Sequence, residues 1–326
     1  MSQFRVEGEA LIRNRSNRSE AARRTCPICD EKQVEVWASL RQHTYIRCTR
    51  CQLVWLAEIP SEAELHAYYN SAYEVDRLSH SEKMRRQGPL LLSLIEKDLD
   101  ERRNLLEVGC SYGYFLELAR NRGWTVEGLE ISREASTWAR DRLQLSVRTG
   151  SLEEHGASWR ACFDAVALFH VLEHHRHPRT LLEQTRDVLR MGGRILLRTP
   201  NAASWAARIC RSQWEWLSPP AHIYLFTPAS LKGLLQSVGF KIEAITTRRG
   251  DAHGLLFELV RASAKGLLSR GSSEAISGSQ PFSHRGWFHT AQSLLEAAWS
   301  PLQPLENLAL GPRFGQPELL VVAKKL

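Results

Sequence analysis

The sequence predicts an α/β protein built on a mostly parallel, doubly wound sheet, with a small metal-stapled module ahead of it. Three observations carry that expectation. Residues 105–130 read as a strand, a glycine turn, a helix and a second strand that ends in a carboxylate. Residues 163–169 and 194–198 are further apolar strands, separated by an amphipathic helix. Nearer the N-terminus, two C-x-x-C knuckles lie eighteen residues apart. Strands alternating with helices of this length favour βαβ units and a parallel sheet.

The first element is a polar arm, residues 1–24, with six arginines and no recognisable chemistry. The metal module follows at 25–56. Cys26-Pro27-Ile28-Cys29 and Cys48-Thr49-Arg50-Cys51 can each place two thiolates about 2.3 Å from one tetrahedral Zn²⁺. Four filled positions favour a closed structural zinc over a catalytic one; a redox C-x-x-C and chance are the alternatives. Cys110, Cys162 and Cys210 lie in apolar or helical settings and are expected to be small core residues. A helical linker at 57–98 comes next. It starts at Pro60-Ser61-Glu62, reaches Tyr68, Tyr69 and Tyr73, and continues as a longer helix from about Ser81 to Asp98.

The main domain, 99–326, opens with Leu105-Leu106-Glu107-Val108-Gly109-Cys110-Ser111-Tyr112-Gly113, and Glu130 closes the next apolar run. Glycines here let the chain turn and let a ligand approach bare backbone, and a carboxylate about 20 residues on can accept hydrogen bonds from ribose hydroxyls. A dinucleotide fingerprint would read G-x-G-x-x-G and aim a helix at a pyrophosphate. This chain has G-x-x-x-G preceded by Glu107, which would repel phosphate and suit a cationic amino group. Further along come the strand Phe163–Phe169, a polar loop His170-Val171-Leu172-Glu173-His174, a helix from Pro178 to Arg190, Met191-Gly192-Gly193, and the strand Arg194–Arg198 ending at Thr199-Pro200-Asn201. Then His222-Ile223-Tyr224-Leu225-Phe226-Thr227-Pro228 leads into a helix ending at Gly239 and a strand from Phe240 to Thr247. The run Glu318–Lys325 is the last strand.

These segments, in this order, resemble class I S-adenosylmethionine-dependent methyltransferases of the bacterial small-molecule, sugar and polysaccharide-pathway type that carry an N-terminal zinc-binding segment. Ser111 stands in the middle glycine position of the glycine motif, and Met191 replaces the usual proline. The resemblance implies a seven-stranded Rossmann-like sheet with the last strand antiparallel. It implies that Glu107, Gly109, Cys110, Ser111 and Gly113 border the methionyl end of S-adenosyl-L-methionine and that Glu130 binds its ribose. By the same resemblance Leu152 and Glu153, or Glu154, complete the adenine pocket, and Ile131, Phe169 and His170 also line the cofactor. The tyrosine-rich linker packs over the cofactor mouth in look-alike enzymes, although a plain linker helix with buried tyrosines is an equal alternative.

The implied reaction is transfer of a methyl group to a hydroxylated small molecule, sugar or glycan. Holding the nucleophile in line is then the chief task, and a hydroxyl acceptor profits from a general base, for which His222, His170 and His174 are the candidates. His170-x-x-Glu173-His174 also resembles the E-x-x-E-H segment by which ubiquinone-pathway and small-RNA 2′-O-methyltransferases bind a divalent metal, with histidine in place of the first glutamate. Magnesium prefers oxygen ligands, so capping of the loop and the following helix by Glu173 and His174 is the favoured alternative.

Residues of about 250–315 are longer than a connection between the last two strands requires. Two helices are expected there, 255–268 and 290–302, either packed on the sheet's flank, capping the substrate, or resting on a membrane that carries a lipid-linked acceptor. A net charge of +7 and a pI near 9.2 raise a nucleic-acid methyltransferase as a rival. Against nucleic acid, the strand that opens at Phe163 ends in Phe169-His170-Val171-Leu172, without an Asn/Asp-Pro-Pro-aromatic motif, and the basic residues are scattered. A non-catalytic protein with a degenerate cofactor site is the second rival. No apolar run of 18 residues and no leader pattern is found, and the thiolate knuckles suit a reducing cytoplasm.

Overall fold

The computed structural model describes residues 25–40, 42–71, 77–97, 103–248 and 315–326. The expected arm, Tyr73 and the two helices of the insertion lie outside the described residues. In chain order the elements are β1 (Val34–Ser39), β2 (Thr44–Cys48), β3 (Val54–Leu56), α1 (Glu62–Ser71), α2 (Arg77–Glu96), β4 (Asn104–Val108), α3 (Tyr114–Asn121), β5 (Thr125–Glu130), α4 (Arg133–Leu143) and β6 (Val147–Thr149). There follow α5 (Leu152–His155), β7 (Phe163–Phe169), α6 (Pro178–Val188), β8 (Leu189–Pro200), α7 (Trp205–Cys210), β9 (Tyr224–Leu225), α8 (Pro228–Ser237), β10 (Phe240–Arg248) and β11 (Glu318–Lys325).

The large sheet has seven strands in the order β10-β11-β8-β7-β4-β5-β6. β11 runs antiparallel to both β10 and β8, while β8, β7, β4, β5 and β6 pair in parallel. The architecture expected from the sequence is therefore present, with the order reversing between β4 and β7. At that switch point the crevice outside the strand carboxyl ends is the natural ligand position of a doubly wound sheet.

Alternation within the strands builds two apolar layers. Leu106, Val108, Val166, Leu168, Ile195, Leu197, Leu319 and Val321 join one cluster with α6 and α8. Leu105, Ala165, Ala167, Leu196, Leu320 and Val322 join the other with α2, α3 and α4. A period of two with both faces apolar is what a strand covered by helices on both sides requires.

Helix starts follow local chemistry. Ser61 and Glu64 form a reciprocal pair ahead of α1, Ser132 Oγ caps α4 and Thr227 caps α8. α2 begins at Arg77, earlier than expected, and continues through Pro89. α6 ends at Val188 rather than Arg190 because Leu189 is already extended, and β8 runs on to Pro200.

The first three strands form a second sheet, ordered β1-β2-β3-β9, whose fourth strand comes from the C-terminal part of the chain, between α7 and α8. Val54 pairs with Leu225 and Trp55 with Tyr224, antiparallel. Cys26, Cys48, Leu53 and Trp55 share a core with one face of the large sheet. Tyr45, Val54 and Leu56 pack on the other side against Ala206, Trp214 and Leu225.

Candidate active site

The chain leaves β4 and turns through Gly109 (φ +72°), Ser111 (φ +49°) and Gly113 (φ +79°) into α3. A Cβ at Gly109 would lie 2.6 Å from Val171 Cγ2, and one at Gly113 would lie 2.6 Å from Leu145 Cδ1 and 3.2 Å from Ala139 Cβ. Both positions therefore need bare backbone. Ser111 keeps the left-handed conformation that a glycine would adopt at no cost. β5 fastens this turn, since Glu130 accepts hydrogen bonds from Ser111 N at 2.8 Å and Ser132 N at 2.7 Å.

Two buried polar atoms at the turn, Glu107 Oε2 and Ser111 Oγ, have no hydrogen-bond partner among the described residues. Burial, reinforced by the charge of Glu130, pushes the Glu107 carboxyl well above the usual range. Burial raises Glu130 as well, opposed by the backbone N–H groups of Ser132, Ser111 and Ile131. An orphaned carboxylate oxygen and an orphaned hydroxyl at a bare-backbone turn form an acceptor set that an ammonium group would satisfy.

A second polar cluster gathers at the carboxyl ends of β7 and β8. His170 (φ +55°) follows β7 directly. Its Nδ1 donates to Glu173 Oε1 at 3.0 Å, and its Nε2 lies 3.6 Å from Glu318 Oε1. Glu173 is fully buried and its other oxygen accepts from Thr199 Oγ1 at 3.0 Å. His174 Nδ1 donates to Ala221 O at 3.0 Å, and His222 Nδ1 donates to Trp216 O at 2.6 Å. Those bonds fix the tautomers and leave Nε2 of each ring as the basic nitrogen. The Trp216 indole is stacked between His170 (5.1 Å) and His222 (5.7 Å), while His174 and His222 meet edge to face at 4.7 Å. Arg198 and Glu318, both almost fully buried, close the cluster with an ion pair of 2.9 Å.

The electrostatics separate the three histidines. Burial alone would lower His170, but the hydrogen bond to Glu173 and the charge of Glu318 outweigh it and hold its pKa above the ordinary histidine value. His174 is lowered by burial. His222 falls to about 3, through burial and then the neighbouring His174. For Glu173, burial acts upward, yet the hydrogen bond from His170 and the surrounding imidazoles hold it at about 2.

These shifts predict the acid response. His222 titrates at 6.5 when unperturbed and about 3 when folded, so the unfolded chain binds the extra proton and stability declines as the pH falls from 6.5 towards 3. Glu173, depressed from 4.5 to about 2, adds a loss as the pH drops through that window. His170 acts oppositely: its contribution is complete below 6.5 and is lost as the pH rises through its raised pKa. Urea midpoints measured from pH 7 to pH 3.5 are expected to fall, and His222→Asn is expected to flatten the decline. An unchanged slope in that variant would rule out His222 as its source.

Residues 80–245, just over half of the 326-residue chain, match the methyltransferase domain family. The chain belongs to that family. The methyltransferase is similar to the ubiquinone biosynthesis O-methyltransferase of Xanthomonas axonopodis pv. citri (strain 306), at 27% identity over 172 residues that cover 49% of this chain and 69% of the relative. The protein of the same name from Azoarcus sp. (strain BH72) is 31% identical over 104 residues, covering 30% of this chain and 45% of that one. Among solved structures, a SAM dependent methyltransferase from Archaeoglobus fulgidus aligns with a TM-score of 0.47 at 20% identity, covering 81% of this chain and all of that one. With its seven-stranded sheet, antiparallel only at β11, and the domain match, the protein is a class I S-adenosylmethionine-dependent methyltransferase.

The structure brings Glu107, Gly109, Cys110, Ser111, Gly113 and Glu130 together at one turn of this methyltransferase. Ile131 is exposed beside Glu130; Leu152 is buried, Glu153 is exposed, and Glu154 is committed to the Ser151 cap. Phe169 packs edge-on against Phe115 at 4.9 Å. His170, His174 and His222 fall into one cluster, and Tyr69 reaches it at 6.3 Å from His174. Glu173 and His174 do not cap α6, whose N-cap position is His177. Sequence reasoning missed Trp216, Thr199, Arg198 and Glu318. Thr199 lies near the carboxyl end of β8 and Glu318 opens β11, so strand ends carried a signal; Trp216 carried none.

The four knuckle cysteines have one sulfur each within 4.8 Å of the others. Cys26 and Cys51 Sγ lie 3.5 Å apart, and Cys29 and Cys48 Sγ 3.6 Å. A tetrahedral edge built from 2.3 Å bonds is about 3.8 Å, so the donor set fits zinc. The hydrogen bond shared with Cys51 lowers the Cys26 thiol and raises that of Cys51, and burial raises Cys29, so a metal, not the protein alone, would bring all four to thiolate.

Proposed function

We propose that the protein O-methylates a hydroxylated small molecule, sugar or surface glycan, using S-adenosyl-L-methionine held at the turn between β4 and α3 and by Glu130 at the end of β5. One observation carries the oxygen acceptor: two neutral imidazoles, His174 and His222, keep a basic nitrogen beside the buried, ionised Glu173. The names of the similar ubiquinone-pathway enzymes support the same acceptor chemistry.

When bound, the cofactor supplies an electrophilic sulfonium methyl. Glu107 and Ser111 hold its ammonium end and Glu130 its ribose hydroxyls. On the acceptor side, His174 Nε2 accepts the hydroxyl proton as the oxygen attacks, and His222, whose pKa of about 3 makes it the weaker base, hydrogen-bonds and orients the acceptor through its Nε2. Glu173 stabilises the imidazolium so formed, and its charge already acts upward on both pKa values. His170, placed between Glu173 and Glu318, orients the carboxylate through its Nδ1 hydrogen bond.

The same residues favour a second reading. Glu173, His174 and His222 each offer a ligand atom, all within 4.8 Å of one another. Two imidazoles and one carboxylate suit zinc or manganese better than magnesium, and activity lost to a chelator and restored by one of these ions would identify that use. The cysteine knuckles are assigned structural zinc, and their free thiols suit a reducing cytoplasm. Among the described residues, no helix is long and apolar enough to cross a membrane.

Calorimetric titration of nucleic-acid-free, zinc-loaded protein with S-adenosylmethionine and S-adenosylhomocysteine tests the cofactor assignment. Micromolar binding lost in Glu130→Ala is expected, followed by transfer of labelled methyl groups to a panel of hydroxylated acceptors. Folded protein that binds neither compound would sink the proposal.

A further inference from the structure

His222 comes from a stretch that makes little regular structure of its own. Between α7 and α8 its only strand is the two-residue β9, and β9 is paired with β3 of the cysteine module. The hold on the residues around it is continuous. Tyr45, fully buried on β2, donates from its hydroxyl to the carbonyl of His222 itself at 2.7 Å. Leu56 N donates to Ile223 O at 3.0 Å, and Ile223 N donates to Glu173 O at 2.9 Å. Thr227 Oγ1 donates to Cys51 O at 3.4 Å. His222 is thus pinned through its carbonyl by the cysteine module and through its ring by Trp216 O.

Tyr45 stands three residues before the ligand Cys48 on the same strand, and Cys51 leads within three residues into β3. A metal gathering the four thiolates fixes where β2 and β3 lie, and these strands fix where the His222 backbone lies. The glycine turn and Glu130 are built from β4 and β5, whose Leu106, Val108 and Leu129 share the apolar cluster of Cys26, Cys48 and Trp55, while the hydrogen bonds of Tyr45, Leu56 and Cys51 run to residues 222–227.

We propose that the N-terminal cysteine module is a positioning device for the acceptor side of the active site, with Tyr45 the positioning residue that sets His222. This rests on the assignment of His222 to the acceptor side. Its partner in that role is the metal in the cysteine cluster, which acts on the histidine and leaves cofactor affinity alone.

The test uses full-length, ¹⁵N-histidine-labelled protein with its zinc content measured, as wild type, Tyr45→Phe and Cys51→Ser. The Nδ1–H of His222, assigned by its absence in His222→Asn, reports the bond to Trp216. In Tyr45→Phe, which keeps the ring and loses one hydrogen bond, solvent exchange of that proton is expected to accelerate by about tenfold while S-adenosylhomocysteine affinity stays within about twofold. Cys51→Ser is expected to lose zinc and shift the same signal further. An unaltered His222 signal in Tyr45→Phe overturns the proposal, as does a parallel loss of cofactor affinity, which would mean general loosening. If Cys51→Ser does not fold, Tyr45→Phe decides alone. The spectrum reads the coupling by itself, whereas turnover by His222→Asn on an acceptor reads whether His222 serves the reaction, so the two failures are distinguishable.

Discussion

Glu318→Ala is expected to lower the unfolding free energy by about 3–5 kcal/mol, the largest stability effect among the substitutions considered. Glu318 opens β11 and lies against Arg198 on β8, with side-chain exposures of 1% and 2%. Removing the acid leaves a guanidinium in a site that water does not reach, and it also takes the charge of Glu318 away from His170, 3.6 Å distant. Domains of this kind are stable by about 5–15 kcal/mol, so one such loss is a large share. The double variant Arg198→Met/Glu318→Leu is expected to recover most of it, because an apolar pair leaves no buried guanidinium that has lost its carboxylate. Urea unfolding followed by circular dichroism measures both. A single variant within about 1 kcal/mol of wild type, or a double variant no better than the single, would contradict the account.

For cofactor binding the largest effect is expected from Gly109→Ala. The left-handed conformation costs an L-residue about 1–2 kcal/mol. The added methyl must also displace Val171 Cγ2, 2.6 Å away on a β-branched side chain with little freedom. Either adjustment moves the turn whose Ser111 N–H is held by Glu130. Affinity for S-adenosylhomocysteine is expected to drop on the order of a hundredfold, against about 2 kcal/mol of stability. Gly123→Ala is the control. It has φ +87° but nothing within 4 Å of a new Cβ, so it should carry strain and keep affinity. Equal losses in the two variants would show that backbone strain, not the shape of the turn, is responsible.

Local chemistry accounts for what the sequence made legible. Gly109, Gly113 and Glu130 belong to one strand–turn–helix–strand unit, where spacing along the chain nearly determines spacing in space. The same holds for His170, Glu173 and His174, which share a loop. Partners set by strand order were not legible. Glu318 meets Arg198 because β11 inserts between β10 and β8, and nothing near either residue encodes that neighbour. Tyr45 reads as an ordinary strand tyrosine until β9 is placed beside β3. A two-residue strand is too short to display a period, so Tyr224–Leu225 left no pattern to find. The strand expected over Arg194–Arg198 extends in the structure over Leu189–Pro200, with Gly192 at φ +76° inside it.

The borrowed strand β9 also bears on the order in which the nascent chain can organise itself. The hydroxyl of Tyr45 and the carbonyl it holds are 177 positions apart. At roughly 5–20 residues per second, ribosomal synthesis leaves an interval of roughly 10–35 s between them. During that time β1, β2 and β3 and their four thiols are outside the ribosome with the β3 edge open, a template for wrong pairing. Early capture of a metal by the cysteines would hold those strands in register, so the ion would serve as a placeholder for contacts that translation has yet to deliver.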